Sequence, residues 1–226
     1  CHEDNAPGKL FRPKVVALMD LRSRKIVGIV VGRYANSDNV LAVHHGAFLS
    51  DGIPREETSD HGPSEKHLGK KSQKWDKRNL EREATFFEKC GIKLHFAGVR
   101  KPSSKPIEPF FRVMKEQFDK HLKSFTGGTP SEKPPTLNAR LKDGACAMSL
   151  GELRKLLNEW VEIYNNSPHS GAGIDGLTPN LAMEHYRQEF RKADEKVLNL
   201  LCCREHGPVV VHRDGVRYSN VWFGNH

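Results

Sequence analysis

Five apolar residues, Val15 to Met19, run without a break and stop at Asp20; after Arg22-Ser23-Arg24 a β-branched run, Ile26 to Val31, follows. Short apolar runs bounded by turn residues are the pattern of buried strands. So short a connection predicts an antiparallel hairpin. The period then changes from two to 3.6. Val40, Val43, His44, Ala47 and Phe48 fall on one helical stripe, with Ser37 or Asp38 as the N-cap and Asp51-Gly52-Ile53-Pro54 as the stop. His44 on that stripe reads as a satisfied core histidine rather than a ligand. Glu56 to Asp60 has poor β propensity and becomes a strand only if the fold demands one.

Farther along, Leu80, Ala84 and Phe87 predict a helix over 76–90, ended by Gly91. Residues 92–96 alternate as a strand. A Pro/Ser loop leads into a helix from about 106 to 122, striped by Ile107, Phe110 or Phe111, Met114 and Phe118. The stretch 125–147 is rich in Gly, Pro, Thr and Ser and reads as a linker. Ser149-Leu150-Gly151-Glu152 is a capping box. It opens a helix bearing Leu153, Leu156, Leu157, Trp160 and Tyr164, broken at Asn165-Asn166-Ser167-Pro168. Thr178-Pro179 starts another, expected over 180–196. Near the end, Val209–Val211 and Val216–Tyr218 flank Arg213-Asp214-Gly215, a hairpin signal. One hairpin is not a stable domain, so it reads as the start of a β-domain. The missing initiator Met likewise suggests a piece of a longer protein.

Composition narrows the classes. The 226 residues suffice for a real core, and no apolar run approaches the ~20 residues of a membrane helix. Five cysteines with no C-x-x-C pair argue against a zinc site and for a reducing compartment. The net charge is +8, and its position matters more than its size. Residues 61–105 hold twelve Lys or Arg against five acids, a local net of +7. Clustered cations gain from phosphate contact through counterion release.

Three carboxylates stand out by position. Asp20 closes the first strand, Asp60 closes the weak strand in Ser59-Asp60-His61-Gly62, and Glu108 lies in the first turn of its helix. Each has a local explanation, since Asp suits turns and Glu suits a helix N-terminus. If the first and fourth strands of a mixed sheet are neighbours, however, Asp20 and Asp60 come side by side, and a helix at that edge can add Glu108. Carboxylates so grouped favour hard divalent cations between them, with Mg²⁺ the usual ion at phosphates. Two such ions can serve both the attacking and leaving oxygens of a phosphoryl transfer.

Four stretches carry a family resemblance. They are Arg12-Pro13-Lys14 with the following strand, Asp20, Arg22 and Arg24–Gly28; Gly52-Ile53-Pro54 with Ser59–Gly62; Ala97-Gly98 with Lys105–Glu108 and Phe111; and Trp160 with Tyr164–His169 and Leu177-Thr178-Pro179. In order and spacing the chain resembles the catalytic core of DDE transposases and retroviral integrases, most closely the phage Mu-type transposases. The resemblance spans about residues 12–186. It implies an α/β, RNase H-like mixed sheet flanked by helices over 1–186, then over 187–226 a helical linker and the first hairpin of a truncated small β-barrel. It further implies Asp20, Asp60 and Glu108 as catalytic ligands of Mg²⁺ or Mn²⁺. The implied reaction is hydrolytic nicking at transposon ends, then attack of the freed 3′-OH on target DNA.

The implied partners are transposon-end DNA, target DNA, further copies of the chain assembled on DNA, and an ATP-dependent target-selection protein. The implied setting is the bacterial or phage cytoplasm and nucleoid, with no membrane. Departures are His61 where Asn is frequent, Glu56 and Glu57 where apolar residues are usual, and Pro109 where a basic residue is common. Arg22, His61, Lys101, Lys105, Arg112 and Lys115 are the candidate DNA contacts. Arg112 and Lys115 follow Glu108 at i+4 and i+7 on one helix face. Two other readings compete: an inactive or domesticated transposase-derived DNA-binding module, and a ribonuclease H-type nuclease. The latter fits the three acids but not the Mu-type flanks.

Overall fold

The computed structural model describes residues 1–2, 10–59, 86–96, 107–139, 147–170, 174, 176–187, 189, 191–202, 211–212, 215–218 and 221–224. Strands β1 (Lys14–Met19) and β2 (Ile26–Gly32) pair antiparallel, as the two apolar runs predict. The register shifts between Leu18 and Met19, which face Gly28 and Ile26, so Val27 is an extra residue. Such a bulge reverses the alternation of faces. Ile26 therefore joins Ile29 and Val31 on one side with Val15, Ala17 and Met19, while Val27 joins Leu18 on the other.

Helices cover both sides. α1 (Ser37–Asp51) packs on the Leu18/Val27 side. Its cap is Asn36, whose side chain accepts from Asn39 N, rather than Ser37 or Asp38. Gly28 permits the close approach, because a Cβ there would sit 2.9 Å from both Val43 Cγ2 and the Val43 carbonyl oxygen. α2 (Ile107–Gln117) and α3 (Leu150–Asn166) cover the opposite side. α2 stops at Gln117, earlier than its stripe suggests, and a 3-10 turn, Asp119–His121, takes over. Phe110, 1 % exposed, is its core residue, and Phe111 is half-buried. The Ser149–Glu152 capping box at the start of α3 is present in both directions. Along α3, Leu153, Leu157, Val161 and Tyr164 are buried, whereas Leu156 faces outward.

β3 (Glu56–Ser59) forms despite its composition and pairs parallel with β4 (Lys93–Phe96). Among the described residues the β1–β2 and β3–β4 ladders are separate two-stranded sheets, so the chain is a mixed α/β protein of small sheets rather than one continuous described sheet. Of the helix expected over 76–90, residues 86–89 are helical and Cys90 is already in a turn; residues 76–85 lie outside the described residues. The helix expected over 180–196 is instead two: α4 (Pro179–Tyr186), capped by Thr178, and α5 (Glu195–Cys202). Its interruption is tertiary, because Ile53 N donates to the Arg191 carbonyl at 2.8 Å and pulls the chain out of helix. Within the 125–147 stretch, residues 125–139 are tied down as well. Arg12 donates to Thr126 Oγ1 and the Gly127 carbonyl, both at 2.7 Å, and Leu137 is buried. At the end, the expected hairpin is a three-stranded antiparallel meander, β5 (Val211–His212), β6 (Gly215–Tyr218) and β7 (Val221–Phe223). No helix among the described residues is long and apolar enough to cross a membrane.

Candidate active site

A cleft of about 830 Å³ opens where β1 and β3 end and α2 begins. Asp20 lines it directly. Ser59 and Ile107, the residues immediately before Asp60 and Glu108, line it too. The three chain segments that carry the sequence-predicted acids thus border one space. Asp60 itself lies outside the described residues, as do His61, Lys101 and Lys105. Among the described residues no group of three or more His, Cys, Asp or Glu is placed to hold a metal.

The turn after β1 orients Asp20. Its Oδ2 accepts from both the backbone N–H and the hydroxyl of Ser23, each at 2.7 Å, while Oδ1 accepts no hydrogen bond among the described residues. Asp20 N donates to the Lys25 carbonyl and Arg24 N to the Asp20 carbonyl, closing the turn with Arg24 at a φ of 61°. That left-handed conformation is unusual without glycine. Ser23 is fully buried, so the carboxylate's rotamer is fixed by a structural hydroxyl.

Glu108 is exposed in the first turn of α2, and Arg112 is exposed one turn farther along. Lys115, two turns along, is paired otherwise: its Nζ lies 2.8 Å from Glu132 Oε1, and Glu132 Oε2 accepts from Gly128 N at 2.9 Å. Those contacts hold the Glu132 carboxyl below its ordinary range. Lys115 therefore secures the 127–132 loop in this structure instead of standing as an uncommitted cation beside Glu108.

The acids of β3, odd in a strand, each have a basic partner. Glu56 meets His95 Nε2 at 2.9 Å. Glu57 meets His44, which is 2 % exposed and lies edge-on to Phe48, Phe86 and Phe87. His44 Nδ1 is 2.6 Å from the Val40 carbonyl oxygen, which can only accept, so Nδ1 donates. Nε2 then faces both Glu57 oxygens at 2.9 and 3.0 Å, and a proton must lie between ring and carboxylate. His44 is thus a satisfied core histidine.

Sequence reasoning missed the wall contributed by the segment after α4. Arg187 donates to the Asp51 carbonyl at 3.1 Å, and Arg191 donates to the carbonyls of Pro54 at 2.9 Å and Cys90 at 2.6 Å. Burial pushes the Cys90 thiol up, with Arg191 pulling the other way. Asp51 ends α1, where a negative charge opposes the helix dipole, and Lys25 at 2.6 Å compensates it. Arg55 pairs with Glu189 at the rim. Arg22, beside Asp20, places its guanidinium carbon 4.0 Å over the Tyr186 ring. Spacing alone gives no signal for these long-range contacts, although two acids in a strand were a sign that bases would face them. Asn165, read in the sequence as part of the break that ends this helix, lies within α3 and reaches a strand: its amide donates to the Ile26 carbonyl and accepts from Ile26 N, at 3.0 and 2.9 Å. Asn166 and His169 do serve the helix end, bonding the carbonyls of Glu162 and Tyr164.

No protein-family model matches the chain. It is similar to a curated protein, the Mu-like prophage FluMu transposase A of Haemophilus influenzae, at 24 % identity over 232 residues. The match covers 95 % of this chain and 33 % of that protein, so the chain spans about a third of the length of the curated relative it matches.

Proposed function

We propose that this chain is the catalytic core of a Mu-type DDE transposase, acting on transposon-end and target DNA. The observation that carries the reading is the single cleft bordered by Asp20, by the residue before Asp60 and by the residue before Glu108. The likeness to a prophage transposase along 95 % of the chain supports it. An antiparallel hairpin, a helix, then two parallel strands is also an order compatible with an RNase H-like fold.

Asp20, Asp60 and Glu108 would supply only carboxylate oxygens, a donor set that fits Mg²⁺ or Mn²⁺. Bound there, the metal would supply Lewis-acid activation for phosphoryl transfer. The Ser23 contacts hold Asp20 in one rotamer ahead of binding. Arg22 and Arg112 would take DNA phosphates around the acids, with Lys101, Lys105 and His61 from the neighbouring segments; Lys115 could join them only by leaving Glu132. The 211–223 meander would be the beginning of the small β-barrel that this reading expects after the core. Assembly of several copies on DNA and an ATP-dependent target-selection partner belong to the same reading, as does a bacterial or phage cytoplasmic setting.

The test is nicking of end DNA by the full-length protein with Mg²⁺ or Mn²⁺. Asp20→Asn and Glu108→Gln are expected to abolish nicking while leaving DNA binding intact. A wild-type protein that binds DNA but nicks with neither metal would favour the inactive, DNA-holding module.

A further inference from the structure

Four arginines line the cleft among the described residues, and three are committed. Arg187 and Arg191 bond backbone carbonyls, and Arg55 is paired with Glu189. Arg22 differs: its partner is the face of Tyr186, and no described acceptor takes its N–H groups. A cation seated on an aromatic face is held without using its hydrogen-bond donors. A guanidinium so held keeps its planar fork for a carboxylate or a phosphate.

The seat is built from both sides of the cleft. Arg22 lies in the β1–β2 turn, two residues from Asp20, and that turn is rigidified by the Ser23–Asp20 contacts. Tyr186 closes α4. One turn earlier on α4, Met183 Sδ lies 3.6 Å from Ser23 Oγ, so α4 touches the same turn at two points. Arg187 follows Tyr186 and anchors this stretch to the end of α1.

We infer that Tyr186 is a positioning residue that holds the Arg22 guanidinium as a pre-oriented fork for one DNA phosphate at the mouth of the cleft. The inference rests on the DNA-processing reading above, which already gives Arg22 a phosphate, and adds the residue that sets its guanidinium. Pre-orientation matters because a free arginine loses side-chain entropy on fixing a phosphate, and one already seated loses less.

The experiment measures binding of a short mixed-sequence DNA duplex to the 226-residue chain across a salt series. Arg22→Ala is expected to weaken binding about tenfold, the size of one charge-assisted contact. It should also flatten the slope of log affinity against log salt by about 0.9, one phosphate's worth. Arg22→Lys should keep the slope and lose affinity. Tyr186→Phe should bind like wild type because the ring face survives. Tyr186→Leu should weaken binding, yet add nothing to Arg22→Ala in the double variant. An unchanged slope in Arg22→Ala overturns the phosphate contact. Additive losses in the double variant overturn the positioning role. A wild-type chain with no salt-dependent DNA binding overturns the functional reading itself, which is a different result from either.

Discussion

The two faces of the β1–β2 hairpin are buried under different chemistry. Toward α2 and α3 the cover is aromatic and aliphatic: Phe110 packs against Trp160 and Tyr164 with ring centroids 5.8 and 5.1 Å apart, and Leu153, Leu157 and Val161 fill the remainder. The polar group admitted there, Asn165, is neutral and 3 % exposed. Toward α1 the rings of Phe48, Phe86 and Phe87 surround His44, whose bond to Glu57 brings ionisable groups to the edge of the core. The first face is a scaffold. The second connects that scaffold to the strand that runs toward Asp60, and the acid–base pair sits where α1 meets β3.

The largest expected effects treat the faces alike. Phe110→Ala and Phe48→Ala, each at a ring no more than 2 % exposed, should cost about 3–5 kcal/mol apiece. Denaturant midpoints would check this, and two separate transitions in either variant would mean that the two faces of the hairpin unfold independently.

Removing one partner of the acid–base pair comes next. His44→Phe leaves Glu57 beside an apolar cluster and should cost about 2–3 kcal/mol. Adding Glu57→Leu should recover part of that loss, since an unpaired buried charge costs more than an absent pair. A double variant no better than the single would mean that the pair contributes little. On the opposite face, Asn165→Ala strands the N–H and carbonyl of Ile26 and should cost about 2 kcal/mol.

The smallest effect has the opposite sign. Burial raises the Asp119 carboxyl above its ordinary value of 3.8, with Lys115 pulling it down. The folded state therefore holds that proton more tightly than the unfolded chain, and stability falls as pH rises through the interval between the two pKa values. Asp119→Asn should gain no more than about 1 kcal/mol at neutral pH. The gain should vanish in melting curves recorded below pH 3.8. A gain that persisted in acid would point away from charge burial.

What the sequence made legible was local. The hairpin, the capping box at Ser149 and the Thr178 cap depend on neighbours in the chain, and all are present. β3 was illegible because its stability comes from His44, 13 residues before Glu57, and His95, 39 residues after Glu56. The break between α4 and α5 was hidden for the same reason, since the Ile53–Arg191 bond joins distant segments. Lys115 lies on the face predicted, but its partner, 17 residues on, could not be read from helix periodicity. Asp20 and Glu108 were legible as acids at element ends, and the structure sets Asp20 on the cleft, whereas Tyr186 carried no local mark of the arginine it holds.

One further consequence follows from α3. Asn165 occupies both backbone groups of Ile26, and Arg154 Nε donates to the Val31 carbonyl at 3.1 Å. These contacts fall at the two ends of β2, on backbone groups that an incoming strand would otherwise use. An open strand edge is a template on which another chain can polymerise. By setting an amide and a guanidinium against that edge, α3 takes up backbone groups of a β-branched strand that would otherwise be open to pairing.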